Sequence, residues 1–253
     1  MDNCKTRQTP CEMNFNKISD DKAEPIDDKL YRELVGSMIY VMIATRPDIC
    51  YTVTKLSQDL AKPTTVHWKR AKQVLRYLKG TKDQSLVFRK SSKELKLEGF
   101  CDADWANYND RKSISGFCFR LSEGNPMISW KSKKQQSVAL STCEAEFVSL
   151  SLASQEALYL KALLSSIRKP CHVTCPTIYC DNQPSIFLAQ NPLINQKSKH
   201  IDIKYQFIQD EITKKTIEVQ YVESERNVAD IFTKPMNKPK LNNFIATIVG
   251  RQT

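Results

Sequence analysis

The chain has 253 residues, of which 41% are hydrophobic and 26% charged, and its formal net charge is +10. These proportions are ordinary for a globular protein with a core, and they exclude a low-complexity or fibrous chain. The positive charge favours a polyanionic partner such as nucleic acid, with a basic protein that has no such partner as the alternative.

The N-terminal part carries no targeting or membrane signal. Its first residues lack an apolar signal core, and the apolar run 34–44 is too short to span a bilayer. We therefore expect a cytoplasmic or nuclear protein that is neither secreted nor bound to a membrane. Residues 1–28 are polar and show no sustained period, which predicts a loose tail.

The nine cysteines are an odd number and are scattered along the chain. Cys171, Cys175 and Cys180 cluster, but their spacing fits no common zinc pattern. Reduced thiols are therefore expected, and a metal site that includes the nearby His172 is the alternative.

Residues 29–83 have apolar side chains at helical spacing and predict three helices. The third helix is expected between Pro63 and Gly80. Its basic residues, among them Lys69 and Arg76, fall on a different face from its apolar stripe. This face is either a solvated surface or a contact with a phosphate backbone.

From residue 84 onward the helical pattern gives way to short apolar runs separated by turn residues. These runs predict strands at 84–89, 95–101, 116–121, 126–131, 176–180 and 216–222. A long buried helix is expected over about 142–167. Shorter helices are expected at 184–190, at 201–214 and from about 227. This order of strands and helices predicts an α/β layer fold with a mixed sheet.

Four acidic residues stand where predicted elements begin or end: Asp102, Glu146, Asp181 and Asp230. Sites form at the strand ends of an α/β sheet, and converging carboxylates there bind hard divalent cations. Two such cations can activate a water and stabilise the leaving oxygen of a phosphodiester. Taken singly, each acid is also explained as a helix cap or dipole partner. The spacing does not separate Asp102 from Asp104, or Glu146 from Glu144.

Several short motifs follow one another along nearly the whole chain. In the second part they are DADWA (102–106), DRKSISG (110–116), ISWKSKKQ (128–135), EAEF (144–147), CDN (180–182), KHIDI (199–203) and ADIFTKP (229–235). In this part the chain resembles the ribonuclease H domain of copia-type (Ty1/copia) retrotransposon Pol polyproteins. Upstream, YRELVGS (31–37), TRPDI (45–49) and LRYLKGT (75–81) resemble the stretch that joins reverse transcriptase to ribonuclease H.

This resemblance implies a fold and a division of the chain. The fold is ribonuclease H-like, with a mixed five-stranded sheet flanked by helices and preceded by a small helical segment. Residues 29–83 resemble the end of reverse transcriptase (thumb or connection), residues 84–240 the ribonuclease H-like domain, and residues 241–253 are expected as a C-terminal tail.

The resemblance also implies a catalytic site that holds two Mg²⁺ (or Mn²⁺) ions. By motif, its acids fall on Asp102, Glu146, Asp181 and Asp230. Asp102 is expected to bridge both ions, and Glu146 and Asp181 to complete one of them and position the attacking water. Asp230 is expected to hold the second ion.

The implied substrate is an RNA–DNA hybrid, recognised through its A-like geometry and its 2′-hydroxyl groups. Lys131, Lys133 and Lys134 precede the long helix and are expected to hold the backbone of the hybrid. Ser113 either contacts that backbone or shapes a turn. His200 stands in a motif, but only a capping or packing role follows for it.

Polymerase activity is not expected, because Asp27 and Asp28 lie in the polar tail and do not match the palm motif of a reverse transcriptase. A palm domain acting in trans is therefore a further expected partner. Two alternatives to an active nuclease are a catalytically inactive nucleic-acid-binding remnant and a transposon fragment with no selected role. The four intact acids favour the nuclease over an inactive site, whereas the lack of a palm motif favours the two alternatives.

Overall fold

A computed structural model describes residues 3–15, 23–89, 95–106, 110–167, 174–191 and 199–250. The contacts within the chain define two compact units. The first consists of residues 1–87 and 234–253, and the second of residues 88–233.

The first unit is helical in its described part. Its helices are α1 (Asp28–Ala44), α2 (Cys50–Leu56), α3 (Thr65–Gly80) and α7 (Lys238–Val249), with 3-10 turns at Pro47–Ile49 and Ser57–Asp59. The core-facing stripe of α1 consists of Tyr31, Val35 and Met38, which recur every three to four residues and are buried. The hydroxyl of Tyr31 donates to the carbonyl of Leu56 at 3.0 Å, which ties α1 to the end of α2.

Helix α3 begins with a reciprocal cap. Thr64 is the N-cap, and its backbone N–H donates to Nδ1 of His67 at 3.0 Å. The Thr64 side chain in turn accepts from the backbone of His67. His67 therefore satisfies a backbone donor that the helix would otherwise leave open.

A buried ion pair connects the start of α2 with α3. The guanidinium of Arg46 donates to both carboxylate oxygens of Asp48, at 2.9 and 2.7 Å. The hydroxyl of Tyr77 donates to the same carboxylate at 2.6 Å. Burial, followed by the charge of Asp48, raises the pKa of Tyr77 well above its ordinary value. Because a buried charge is costly unless it is paired and hydrogen-bonded, these three side chains stabilise each other.

The N-terminal residues are more ordered than the loose tail expected from their polarity. Within residues 3–15, Cys11 and Phe15 are buried. The guanidinium of Arg70 lies 4.4 Å from the centre of the Phe15 ring and donates to the Phe15 carbonyl at 2.7 Å. Hydrophobic periodicity could not predict their burial, because the two apolar side chains form no repeating pattern and pack on a surface from elsewhere in the chain.

The C-terminal segment also differs from expectation, since most of residues 241–253, expected as a tail, belong to helix α7. Asn237 caps it by accepting from the backbone of Lys240 at 3.0 Å, and Gly250 ends it in the left-handed region at φ 73°. Pro239 stands in its first turn, where its missing N–H costs nothing. The side chains buried along it are Leu241, Phe244, Ile248 and Val249.

The second unit is built on a five-stranded sheet. Its strands are β1 (Leu97–Asp104), β2 (Ile114–Leu121), β3 (Met127–Lys134), β4 (Thr177–Cys180) and β5 (Glu218–Tyr221), in the order β3-β2-β1-β4-β5. The first three strands are antiparallel neighbours, whereas β4 is parallel to β1 and β5 to β4. The expectation of a mixed five-stranded sheet with flanking helices is therefore confirmed.

Two elements differ from the sequence-based prediction. The strand expected at 84–89 is absent, and the N–H of Val87 donates instead to the carbonyl of Val249 at 2.9 Å. The helix expected from about 227 is a short 3-10 helix, Val228–Phe232. It ends at Phe232, two residues before Lys234, whose helical conformation is disfavoured by the following Pro235.

The long helix α4 (Thr142–Ile167) covers one face of the sheet, as its apolar composition predicted. Phe147, Leu150, Ala153 and Ala157 are buried in the same cluster as the side chains of β1 and β2. Full burial of a side chain as large as Phe147 contributes roughly 1.5–3 kcal/mol. Two further helices, α5 (Gln183–Gln190) and α6 (Lys199–Thr213), complete the unit.

Candidate metal centre

The central strand β1 carries the first of the four acids. Asp102 lies opposite Gly116 of β2, and its side chain is almost fully buried. One carboxylate oxygen accepts a hydrogen bond from the hydroxyl of Thr233. This hydrogen bond, whose donor is a neutral hydroxyl, orients the carboxylate.

The parallel pairing of β1 and β4 places a second acid at the same edge of the sheet. Both strands end with their carboxyl ends at this edge, and Asp181 directly follows the last residue of β4. Asp181 is only partly buried. The parallel direction of the two strands therefore brings Asp102 and Asp181 close together.

The 3-10 helix Val228–Phe232 supplies Asp230, which is fully buried. Asn227 fixes this helix against β1, because its side-chain amide donates to the carbonyl of Cys101 at 2.9 Å. The carbonyl oxygen of the same side chain accepts from the backbone of Ala229 at 3.2 Å.

Gly116 allows this helix to pack closely against β2. A Cβ atom at that position would lie 2.7 Å from Cγ2 of Thr233 and 2.8 Å from Cβ of Phe232. These distances are shorter than real Cβ contacts, so only glycine permits the observed approach.

Glu146 comes from the first turns of α4 and is 7% exposed. It accepts a hydrogen bond from the backbone of Ala103, but its Oε2 is buried and has no hydrogen-bond partner among the residues that the structure describes. Burial, followed by the charge of Asp102, raises the pKa of Glu146 well above its ordinary value. Ser149 holds the helix in place, since its hydroxyl lies 2.7 Å from the carbonyl of Asp102 and donates to it.

The structure brings the four acids together in two overlapping groups. Carboxylate oxygens of Asp102, Asp181 and Asp230 lie within 4.8 Å of one another. Ligand atoms of Glu146, Cys180 and Asp181 do the same. Asp181 belongs to both groups, whereas the resemblance implies Asp102 as the bridging acid. Carboxylates this close repel one another, and a divalent cation would offset that repulsion.

The rival acids lie outside both groups. Asp104 is the last residue of β1 and is partly exposed. Glu144 instead accepts from the backbone N–H of Leu140 at 2.7 Å, just before α4. The structure thus places Asp102 and Glu146 in the acid groups and leaves Asp104 and Glu144 outside them, a distinction that residue spacing could not make.

Sequence reasoning missed several residues that shape this site. Thr233 lies in the ADIFTKP motif and Asn227 lies just before it. Their hydrogen bonds to β1 could not be predicted, because these residues are far from β1 in the sequence. Cys180 was assigned to a strand, to a cysteine cluster and to the CDN motif, but not to the group of acids. Its neighbours Cys171 and His172 lie outside the described residues, and Cys175 is half-buried.

The basic residues of β3 belong to the second unit, where β2 separates their strand from β1. In the register of the sheet, Ser132 lies in line with Asp102. Lys131 and Lys133 are exposed, and they stand two positions apart on the same face of the strand. Lys134 differs, because it pairs with Asp110 at 3.0 Å and this contact lowers the pKa of Asp110. Ser113 is fully buried and accepts from the backbone of Ala106 at 3.2 Å. The hydroxyl thus supports the loop between β1 and β2, and a contact of Ser113 with nucleic acid stays a prediction.

Lys69 and Arg76 of the first unit line a groove of about 740 Å³ between α3 and the N-terminal residues. The Arg76 side chain donates to the carbonyl of Lys5 at 2.6 Å, and Lys69 is exposed. The other charged residues that line the groove are Lys5, Arg7, Glu12, Arg70 and Lys72.

His200 lies in α6, but its side chain is outside the described residues. Among the described residues, no helix has both the length and the apolarity to cross a bilayer.

Comparison with known proteins gives close relatives along most of the chain. The Retrovirus-related Pol polyprotein from transposon RE2 of Arabidopsis thaliana is 38% identical over 219 residues, which are 86% of this chain and 15% of that protein. The corresponding polyprotein from transposon TNT 1-94 of Nicotiana tabacum is 39% identical over 214 residues, which are 83% of this chain and 16% of that protein. The chain thus spans about one sixth of the length of these curated relatives. No protein-family model matches it.

Among solved structures, a foamy viral protease-reverse transcriptase in complex with double-stranded DNA has a TM-score of 0.52 and 11% sequence identity. The match covers 82% of this chain and 33% of that chain. At this identity the likeness concerns the fold alone. The relatives above show that the chain belongs to the copia-type retrotransposon Pol polyproteins, and its second unit has a ribonuclease H-like fold.

Proposed function

We propose that the chain is a metal-dependent ribonuclease H that hydrolyses the RNA strand of RNA–DNA hybrids. The observation that carries this proposal is the convergence of four carboxylates from β1, α4, β4 and a 3-10 helix on one edge of the sheet. Single acids at helix or strand ends are common, but four that meet from distant parts of the chain need a shared role.

The residues fit two divalent cations of the Mg²⁺ or Mn²⁺ type. Hard cations take carboxylate oxygens, and three acids offer such oxygens within 4.8 Å of one another. The unpartnered oxygen of Glu146 is the second sign of a missing ligand, because a buried polar atom normally has a hydrogen-bond partner. When bound, the ions would polarise the scissile phosphate and increase the acidity of a water.

Each side chain then has a distinct part. Asp102, oriented by Thr233, and Asp181, which belongs to both groups, would hold the cations. Asp230, fixed by the 3-10 helix, would complete this set of ligands. Glu146 would use its open Oε2 to orient the attacking water.

Recognition of the hybrid is proposed for two exposed lysines of β3. Lys131 and Lys133 would contact phosphates, which position the substrate without reading its sequence. The 2′-hydroxyl groups mark the RNA strand. Lys69 and Arg76 are proposed as a further phosphate contact of the first unit. Cleavage should therefore depend weakly on sequence and fall with added salt.

The experiment compares wild type with Asp102→Asn and Asp104→Asn on a labelled RNA–DNA hybrid with Mg²⁺ or Mn²⁺. Asp104 is a matched control because it lies on the same strand but outside both acid groups. We expect wild type and Asp104→Asn to cleave only the RNA strand, and Asp102→Asn to bind the hybrid without cleaving it. DNA and RNA duplexes should remain intact.

The proposal fails if wild type binds the hybrid at high protein concentration and leaves it intact, which would support a binding remnant instead. Cleavage that depends on an added reverse transcriptase palm domain would support the partner in trans. Equal cleavage by wild type and Asp102→Asn would point to a contaminating nuclease.

A further inference from the structure

A sulfur atom stands among the carboxylates of the candidate metal centre. Cys180 is the last residue of β4 and is fully buried. Its Sγ lies within 4.8 Å of a carboxylate oxygen of Glu146 and of Asp181. The backbone N–H of Asn182 donates to this sulfur at 3.5 Å, and the thiol of Cys101 is hydrogen-bonded to it. These contacts fix the position of the sulfur beside the two acids.

The two acid groups therefore differ in chemistry. The group of Asp102, Asp181 and Asp230 offers only oxygen, which suits Mg²⁺. The group of Glu146, Cys180 and Asp181 offers two oxygens and one sulfur, and thiolate ligands select softer cations such as Zn²⁺. Tetrahedral zinc with ordinary Zn–S and Zn–O distances separates its ligand atoms by about 3.6 Å. Small side-chain movements would close the present spacing to that value.

The unpartnered Oε2 of Glu146 is an independent indication of a ligand at this group. The side chain is 7% exposed, and within the described part of the chain no donor reaches this oxygen. Asp181, in contrast, is only partly buried, so a cation has a route to the group from solvent.

We propose that Glu146, Cys180 and Asp181 bind a thiophilic divalent cation of the Zn²⁺ type, which competes with Mg²⁺ for the centre. The competition rests on the proposed nuclease function, whereas the binding itself does not. On binding, the sulfur–metal bond forms and the Cys180 thiol proton passes to solvent, with no change of oxidation state. Zn²⁺ at this position therefore reduces Mg²⁺-supported cleavage of the hybrid.

The test uses Cd²⁺ as a spectroscopic probe on the full chain. Coordination by sulfur produces an ultraviolet charge-transfer band, which is followed during titration of wild type and Cys180→Ser. The control is Cys118→Ser, because Cys118 is equally buried, lies in the neighbouring part of the sheet and belongs to neither acid group. We expect the first equivalent of Cd²⁺ to give the band in wild type and in Cys118→Ser. In Cys180→Ser we expect an affinity weaker by on the order of tenfold or more.

A second measurement keeps the inference testable if Cys180→Ser does not fold. Cadmium NMR of the wild-type protein reports whether the first bound Cd²⁺ has one sulfur ligand or oxygen ligands only. Oxygen ligands alone, or an unchanged band in folded Cys180→Ser, would overturn the inference while leaving the nuclease proposal intact. A Cys180-dependent band in a protein without nuclease activity would support the binding site and reject the nuclease.

Discussion

Substitution of Gly116 by alanine tests whether the close approach of two elements builds the site. The added Cβ would lie 2.7 and 2.8 Å from side-chain atoms of Thr233 and Phe232, and 3.2 Å from the carbonyl of Ala229. Ordinary carbon contacts need about 3.5–4.0 Å, so the 3-10 helix must move away from β2 by about 1 Å. Overpacking of this kind costs typically about 1–3 kcal/mol of unfolding free energy.

The same movement withdraws the Thr233 hydroxyl from Asp102 and shifts Asp230. We therefore expect Gly116→Ala to weaken Mn²⁺ binding by about 10–100-fold, the usual effect of losing a side chain that orients a ligand. Urea denaturation measures the stability, and isothermal titration calorimetry measures the affinity for the cation.

The control is Gly36→Ala on α1, where an added Cβ meets nothing within 4 Å. Because alanine is the better helix former, this variant should be as stable as wild type or more stable by up to about 1 kcal/mol. If Gly116→Ala matches wild type in both stability and Mn²⁺ affinity, the argument from close approach is refuted.

Two further predictions concern buried titratable groups. Because burial and Asp102 raise the pKa of Glu146, the folded protein holds a proton there that the unfolded chain loses above about pH 4.3. In the presence of a chelator, the unfolding free energy should therefore fall as pH rises from about 4.3 to the raised pKa of Glu146. Denaturation measured across this pH range should show no such fall from this group in Glu146→Gln. The same pH dependence in wild type and Glu146→Gln would contradict the prediction. In the first unit, Tyr77→Phe removes a hydrogen-bond donor from the buried carboxylate of Asp48. This substitution should lower the unfolding free energy by about 1.5–3 kcal/mol. The control Tyr40→Phe, at an exposed position, should have no measurable effect on the unfolding free energy.

Local signals explain why much of the site could be predicted. Asp102 and Asp181 each follow or end an apolar run, and Glu146 opens a long apolar helix. Such patterns depend on neighbouring residues in the chain, so they predict the element and the position of the acid within it. The choice between Glu146 and Glu144 was different, because helical spacing alone places both near the same turn.

Local signals failed where a segment depends on a distant surface. Phe15 and Cys11 are buried only because the N-terminal residues meet α2 and α3. Helix α7 does have local signals in Asn237 and Gly250. Its short apolar stripe was outweighed by the polar residues around it.

The amino-acid sequence by itself predicted the family resemblance, the α/β class and the elements that carry the four acids, because motifs and periodicity are properties of the linear chain. The tertiary structure decided which of these groups meet. Parallel pairing of β1 with β4 brings Asp181 to Asp102 and places Cys180 beside Glu146. The hydrogen bond from Thr233 to Asp102 joins residues 131 positions apart. Contacts over such separations follow from packing, which no pattern of neighbouring residues encodes.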